Sequence, residues 1–317
     1  MTASRRVPVL EIGGTHVTAA VVDTGTWRVL AGAGARCELD AGGPADEVLA
    51  AFVDAAVALR PADGSMWGVA IPGPFDYARG VADYHGVAKF DALRGVGLGD
   101  VLRRTLTGGR GHVYFVNDAE AFAVGESVAG AAREHHRAVG VTLGTGVGSA
   151  FLVDGIAQSS GPGVPEQGRL DLLEVDGRPL EDTISRRAMR ERYAELTGMV
   201  AGQPDVRDIV ARARAGDVDA DRAMDERLRA LGRVLAPRAL DFGASILVVG
   251  GSISLAWDVV EGPLLAGMDQ ASPGWSDSFV VAPAQRTEEA ALLGAACHAV
   301  RRASEDAGGG HYAGGRP

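Results

Sequence analysis

The feature that most constrains this chain is a pattern that occurs twice. Val7-Pro8-Val9-Leu10-Glu11-Ile12 reads as an apolar strand, Gly13-Gly14-Thr15 as a turn, and His16 to Asp23 as the returning strand. In the other half of the chain, Ala138 to Leu143 enters Gly144-Thr145-Gly146-Val147-Gly148 and returns through Ser149 to Val153 into Asp154-Gly155. Strand, Gly/Thr hairpin, strand and aspartate recur in the same order. Two related domains are therefore expected, each offering a Gly/Thr loop to one shared ligand. Glycines let a backbone approach a ligand without Cβ atoms in the way, and their amides form anion-binding nests, with the Thr15 hydroxyl added in the first copy. Two such nests suit a nucleoside triphosphate, whose phosphates need many donors and little bulk. Taken singly, either loop is also a plain hairpin turn.

Between the two copies lies Val113-Tyr114-Phe115-Val116-Asn117-Asp118-Ala119-Glu120-Ala121. It reads as a buried strand that stops at Asn117-Asp118 and turns at once into a helix. Asp118 then sits at the C-terminal edge of a sheet, where ligands of open α/β folds collect, and at a helix N-terminus, whose dipole favours the ionised acid. The other reading is that Asp118 serves only as the helix N-cap. Asn117 is the single asparagine of the chain and Lys89 its single lysine, so an amide directly before a well-placed acid stands out.

The rest of the chain reads as α/β. An amphipathic helix is expected over 44–60, a buried strand over 66–71, and a rigid end to it at Pro72-Gly73-Pro74. Residues 77–99 read as an irregular Gly-rich loop carrying His85 and Lys89. A loop over 159–169 carries Glu166 and Arg169. Helices follow from about Ser185, over 205–213, and from about Ala220, where Pro237 is expected to kink or end the helix. Ser245 to Val249 is a buried strand ending at Gly250-Gly251-Ser252. A helix over 288–302 precedes a Gly-rich tail, 304–317, expected to be disordered.

Composition excludes several classes. A formal charge of −10 and a pI near 5.2 oppose a nucleic-acid surface. No stretch approaches a bilayer span of roughly 18 apolar residues, and the N-terminus lacks a signal-peptide core. Cys37 and Cys297 form no metal or redox spacing. A cytoplasmic protein with no nucleic-acid or membrane partner is expected.

Taken together, Glu-Ile-Gly-Gly-Thr (11–15), Asn-Asp-Ala-Glu-Ala (117–121), Leu-Gly-Thr-Gly-Val-Gly (143–148), Glu-Gln-Gly (166–168), Leu-Glu (180–181) and Val-Gly-Gly-Ser (249–252) resemble the ROK sugar kinases, glucokinase-like members of the actin/hexokinase superfamily. The resemblance runs from about residue 7 to 300. It implies an α/β fold of two RNase H-like lobes with a cleft between them: 1–117, with the helix near 288–303 packing back on it, and 118–287. It implies a hexose substrate, ATP with Mg²⁺, and a homodimer. Asp118 matches the family's general base, which takes a proton from a sugar hydroxyl, usually on C6. Asn117, Gly73, Glu166 and Glu181 match sugar contacts. Gly13, Gly14 and Thr15 match the first phosphate loop, Gly144, Thr145 and Gly146 the second, and Gly250 and Gly251 a turn near the nucleotide.

Departures from the family pattern bear on the substrate. Arg169 stands where the family usually has a histidine that touches sugar and binds a structural zinc, and Leu170 to Leu180 contains no cysteine or histidine. No zinc is therefore expected, and Arg169 either alters the sugar pocket or points away. Glu11 replaces the more frequent Asp, and Glu120 the more frequent Asn. An added carboxylate at Glu120 suits a cationic amino group or simply faces solvent. The expected activity is ATP:hexose 6-phosphotransferase, on glucose or an amino-hexose such as kanosamine, which similar kinases phosphorylate in antibiotic pathways. A sugar-sensing ROK regulator or a silent sugar-binding protein are the alternatives. The first lacks room for a DNA-binding module before the first strand. P-loop kinases are disfavoured, since no G-x-x-x-x-G-K-[ST] occurs.

Overall fold

The computed structural model describes residues 5–59, 65–85, 89–175, 177–199 and 204–309. Strand β1 (Arg6–Ile12) is apolar on both faces, with Val7 and Val9 in one core and Leu10 and Ile12 in another. A strand buried on both sides belongs inside a sheet. It pairs antiparallel with β2 (His16–Asp23), which pairs antiparallel with β3 (Arg28–Glu38). On its other side β1 lies parallel to β4 (Trp67–Ile71). Helix α1 (Ala45–Val57) connects β3 to β4, and a small hairpin of β5 (Phe75–Asp76) and β6 (Val81–Ala82) follows. Helix α2 (Leu98–Thr107) then leads to β7 (Val113–Asn117), parallel to β4, and α3 (Asp118–Ala129) begins at the next residue.

A second antiparallel meander follows, β8 (Arg137–Leu143), β9 (Val147–Val153) and β10 (Ile156–Ala157). The chain continues through the hairpin β11 (Glu174–Val175) and β12 (Arg178–Pro179), then α4 (Leu180–Ile184), α5 (Arg186–Thr197), α6 (Val206–Arg214) and α7 (Val218–Phe242). Strand β13 (Ile246–Gly250), α8 (Trp257–Ala271), β14 (Val280–Pro283) and α9 (Ala290–Gly309) complete it. The sheet orders are β3-β2-β1-β4-β7 and β10-β9-β8-β13-β14. Position for position they agree: a three-stranded antiparallel meander, then two strands parallel to its first. This is the RNase H-like topology, present twice, as the repeated pattern implies.

Contacts divide the chain into a first unit, up to Ala129 plus Glu288 onward, and a second, Gly130–Thr287. The division falls after α3 and not at the expected 117/118, because α3 packs against α9. That packing is close enough to require glycine. A Cβ on Gly125 of α3 would lie 1.8 Å from the Ala290 carbonyl oxygen, and one on Gly294 of α9 the same distance from that of Ala121. Gly68 of β4 meets the Ala295 carbonyl at 2.3 Å in the same sense. The second unit uses the same device between α7 and α8: Gly232 faces the Leu264 carbonyl at 2.1 Å and Gly267 that of Arg229 at 2.2 Å.

Several expectations are corrected. Pro237 does not end its helix; α7 continues to Phe242 and stops at left-handed Gly243. Val234, Leu235, Ala236, Ala239 and Phe242 are buried on both sides of the proline, and their packing outweighs the lost hydrogen bond. The last helix runs on through 304–309, within the segment expected to be disordered, while 310–317 lie outside the described residues. The first helix stops at Val57, with Arg60 outside the described residues, and the 77–99 loop contains β6 and the start of α2, with 86–88 outside. Strand β3 has no sequence signal: Ala31 to Ala35 is all alanine and glycine, and its pairing with β2 makes it a strand. Among the described residues no helix is long and apolar enough to cross a membrane.

Candidate active site

In the first unit, the C-terminal end of β1 and the junction after β7 bring together two carboxyls, Glu11 and Asp118. The helix cap at Asp118 is not Asp118 itself. Asn117 Oδ1 accepts from the amides of Ala119 (3.0 Å) and Glu120 (3.2 Å), and its Nδ2 donates to the Tyr77 hydroxyl at 3.0 Å. Asn117 therefore needs both ends of its amide, one for the helix and one for Tyr77, which in turn donates to the Ile71 carbonyl at 3.3 Å. An aspartate at 117 could not make the second bond as a donor. Asp118, relieved of capping, is the first residue of α3. Its Oδ1 accepts from the Ala119 amide at 2.9 Å.

The helix terminus does not leave Asp118 strongly acidic. Burial pushes its carboxyl above the ordinary carboxylate range, and the Ala119 amide and the Lys89 charge pull it back only in part. Glu11, at the end of β1, is pushed to about 7 by burial first and by the neighbouring Asp118 second, against the opposing charge of Arg36. Two carboxylates that resist joint ionisation thus share this sheet edge. Gly73 stands beside the same group: a Cβ there would lie 3.2 Å from the Tyr77 hydroxyl and 4.0 Å from Asn117 Nδ2.

The first Gly/Thr loop adjoins Glu11. Gly13 donates its amide to the His16 carbonyl at 2.9 Å, closing the hairpin. Its amide is therefore spent, and the anion nest expected over 13–15 reduces to Gly14 and Thr15. The Thr15 hydroxyl lies 3.1 Å from His16 Nδ1. Thr15, His16, Arg36, Glu38 and Asp40 line an open polar hollow beside the loop.

The second unit assembles its loops in the same way. Gly144 closes its hairpin by donating to the Gly146 carbonyl at 3.0 Å, which leaves Thr145 and Gly146 as the candidate donors. Glu181, at the start of α4, meets this loop directly. Its Oε2 accepts from the Val147 amide at 3.2 Å and would be 2.6 Å from a Cβ on Gly146. Gly251 has φ +84° and no room for a side chain, since a Cβ would lie 2.3 Å from the Leu143 carbonyl oxygen. The turn Gly250 to Ser252 is thereby pressed onto the end of β8. Arg186 ties both together: its amide donates to the Gly144 carbonyl at 3.0 Å and its Nη2 to Ser252 Oγ at 3.4 Å.

Of the residues expected at the sugar, Glu120 and Arg169 face other groups and Glu166 is exposed. Burial raises the Glu120 carboxyl while Arg301 of α9 opposes it, so its electrostatic neighbour is the helix packed on α3. Arg169 is exposed and its guanidinium is held by Asp171 two residues on. Glu166 is exposed on a single helical turn, Glu166–Gly168, which Ser149 anchors by donating to the Gly168 carbonyl and accepting from the Leu170 amide. Sequence reasoning noticed Glu11 and Lys89 without placing them in the site; Tyr77, Arg36 and Arg186 it missed. Lys89 had a signal, as the single lysine, whereas nothing local marks Tyr77.

The sequence pattern that defines the ROK family matches residues 8–302. The chain belongs to the ROK family. This ROK protein is 30% identical over 250 residues to a glucokinase of Thermotoga maritima, covering 72% of this chain and 77% of that one. It is 27% identical to the N-acetylgalactosamine kinase AgaK of a Shewanella species, over 83% and 85% of the two chains. Among solved structures it superposes on a ROK family glucokinase from Streptomyces griseus in complex with glucose and AMPPNP, with a TM-score of 0.76 and 25% identity over 94% of this chain and all of that one. These three relatives are named as sugar kinases, and the fold of the solved one is the fold of this chain.

Proposed function

We propose that this chain is an ATP-dependent kinase that phosphorylates the 6-hydroxyl of a hexose. The observation that carries the reading is Asp118. It sits at the head of α3 with one oxygen on the Ala119 amide, while Asn117 does the capping, so its second oxygen is left for a substrate proton. A carboxyl raised by burial is also a better proton acceptor than an ordinary one, provided it is ionised at the working pH.

In the step proposed, Asp118 takes the hydroxyl proton as the sugar oxygen bonds to the γ-phosphorus. The bond from that phosphorus to the β,γ-bridging oxygen breaks, and its electron pair leaves on ADP. Such transfer is mostly positioning and charge stabilisation. The Gly14-Thr15 and Thr145-Gly146 amides and the turn Gly250 to Ser252 are the groups we assign to the nucleotide. Gly146 and Gly251 keep these turns compact, because a Cβ there would meet Glu181 and the Leu143 carbonyl. Mg²⁺ enters with ATP, held chiefly by the phosphates.

Glucose is the hexose we propose first. The amino-hexose alternative, kanosamine included, rests on several carboxylates, Glu120 among them, and on the missing histidine at 169; Glu120 feels the Arg301 charge and Arg169 is held by Asp171. An ADP-release assay with Mg-ATP and glucose, mannose, glucosamine, N-acetylglucosamine, N-acetylmannosamine and kanosamine tests the assignment. Turnover strongest on glucose and lost in Asp118→Asn is the expected result. Stronger turnover of kanosamine overturns the choice of sugar. No turnover on any hexose returns the protein to the regulator or binding-protein reading.

A further inference from the structure

Lys89 is the single lysine of the chain, and the phosphoryl-transfer step above gives it no role. Its side chain lies across the first Gly/Thr loop. A Cβ on Gly14 would be 3.0 Å from Lys89 Cε and 3.3 Å from both Cδ and Nζ. Gly14 is not among the glycines with positive φ, so the backbone does not require glycine there. A side chain there would press on Lys89, which would have to give way. The same ammonium acts on Asp118, where it is the charge that lowers the carboxyl against the effect of burial.

Among the described residues no carboxylate lies within 4 Å of the Lys89 ammonium and no hydrogen bond holds it. A half-buried ammonium without an ion pair is not a structural tie. It stands between a proton acceptor and the two amides of an anion-binding turn, which is where the phosphoryl group must pass if it moves from the loop to an oxygen held by Asp118. Lysine suits that place: it is a compact point charge on a flexible stem, used for phosphate where bidentate geometry is not needed.

We propose that the Lys89 ammonium is a catalytic group that contacts the phosphoryl as it is transferred from nucleotide to sugar, and that Gly14 lacks a side chain to admit it. This rests on the kinase reading above. While the bond to the sugar oxygen forms and the bond to ADP breaks, negative charge spreads over the equatorial phosphoryl oxygens, and Lys89 neutralises part of it from the loop side. It also keeps Asp118 ionised before the proton is taken.

A chain with one lysine allows a direct test. Reductive methylation with ¹³C-formaldehyde labels two amines, the Lys89 side chain and the N-terminus, which resonate apart and keep their charge. Mg-AMPPNP without sugar should move the Lys89 signal and leave the terminal one in place. At a concentration shown by calorimetry to saturate the protein, an unmoved Lys89 signal overturns the proposal, and absence of AMPPNP binding overturns it together with the kinase reading. This arm needs no turnover: a signal that moves while every hexose fails supports Lys89 and refutes the sugar reading alone. In the second arm, Lys89→Met should lower kcat about 10²- to 10³-fold with a sugar KM unchanged within about threefold, and Lys89→Arg should recover part of the rate. A variant Lys89→Met with unchanged kcat and a raised sugar KM would make Lys89 a sugar ligand and end the proposal.

Discussion

The two units share a sheet order and a way of packing helices, yet they differ in what stands at the sheet edge. In the first, the edge holds Glu11, Asp118 and Lys89, groups whose charges disturb one another. In the second, the corresponding hairpin at 144–146 is bordered by Glu181, Arg186 and Ser252, and the contacts are hydrogen bonds, two involving the hairpin backbone and one between the Arg186 and Ser252 side chains. In the function proposed above, one copy of the topology is the reacting edge and the other a cradle for the nucleotide. The topology itself supplies the two Gly/Thr hairpins, since each joins the first two strands of a meander. What distinguishes them is which strand end carries an acid. After β7 the chain enters α3 at Asp118, whereas after β13 it enters Gly250-Gly251-Ser252.

The comparison can be broken most severely at Asp118. Asp118→Asn should reduce kcat about 10²- to 10⁴-fold with the far-UV spectrum unchanged, since the Asn117 cap is untouched. Rate surviving the substitution would remove the distinction between the units. Next comes the helix packing. Gly125→Val should destabilise by at least about 1–3 kcal/mol, because its side chain meets the Ala290 carbonyl; Gly232→Val in the second unit should cost a similar amount against Leu264. Denaturant melts of the two variants side by side would show whether the shared device is equally tight in both.

Glu11 sharpens the electrostatic half of the comparison. Its carboxyl titrates near 7 in the folded chain and near 4.5 otherwise. Between those values the folded form binds the extra proton, so its contribution disfavours the fold increasingly as pH rises from about 4.5 to 7 and is constant above. Glu11→Gln should therefore raise the melting temperature at pH 8, by roughly 2–4 °C for each kcal/mol recovered, and do little at pH 4. It should also move the acid limb of the pH–rate profile to lower pH, because a negative neighbour of Asp118 is gone. An unmoved limb would mean that the two carboxyls act independently. The smallest effect is expected at Arg169: the guanidinium side of its ion pair with Asp171 is exposed, so Arg169→Ala should change stability by only about 1 kcal/mol. Sugar KM should stay within about threefold, and a larger rise would return Arg169 to the pocket.

Much of this was legible without coordinates. Both hairpins, the strand that ends at Asn117, the helix that starts at Asp118 and the buried strand before Gly250 follow from apolar runs broken by glycine or by a capping side chain. Those signals are local, and the local rule and the fold agree. The misses share a cause. Strand β3 is alanine and glycine and is held by its neighbour. Helix α7 passes Pro237 because residues on both sides are buried. Glu120 and Arg169 have partners that no spacing reveals, one on the helix packed across α3 and one fixed only by how its loop folds.

The sequence by itself determined which residue types are available at each strand end: a lone amide before an acid, a glycine pair after a strand, a single lysine. These are choices of side chain and of backbone freedom, which act over a few residues. Only the tertiary structure decided which of them interact. Whether Asp118 caps its helix or stands clear, whether Gly13 donates to a ligand or to His16, and whether Lys89 lies over Gly14 depend on residues far apart in the chain meeting at one sheet edge. Charge coupling and burial act through space, and the order of residues does not carry them.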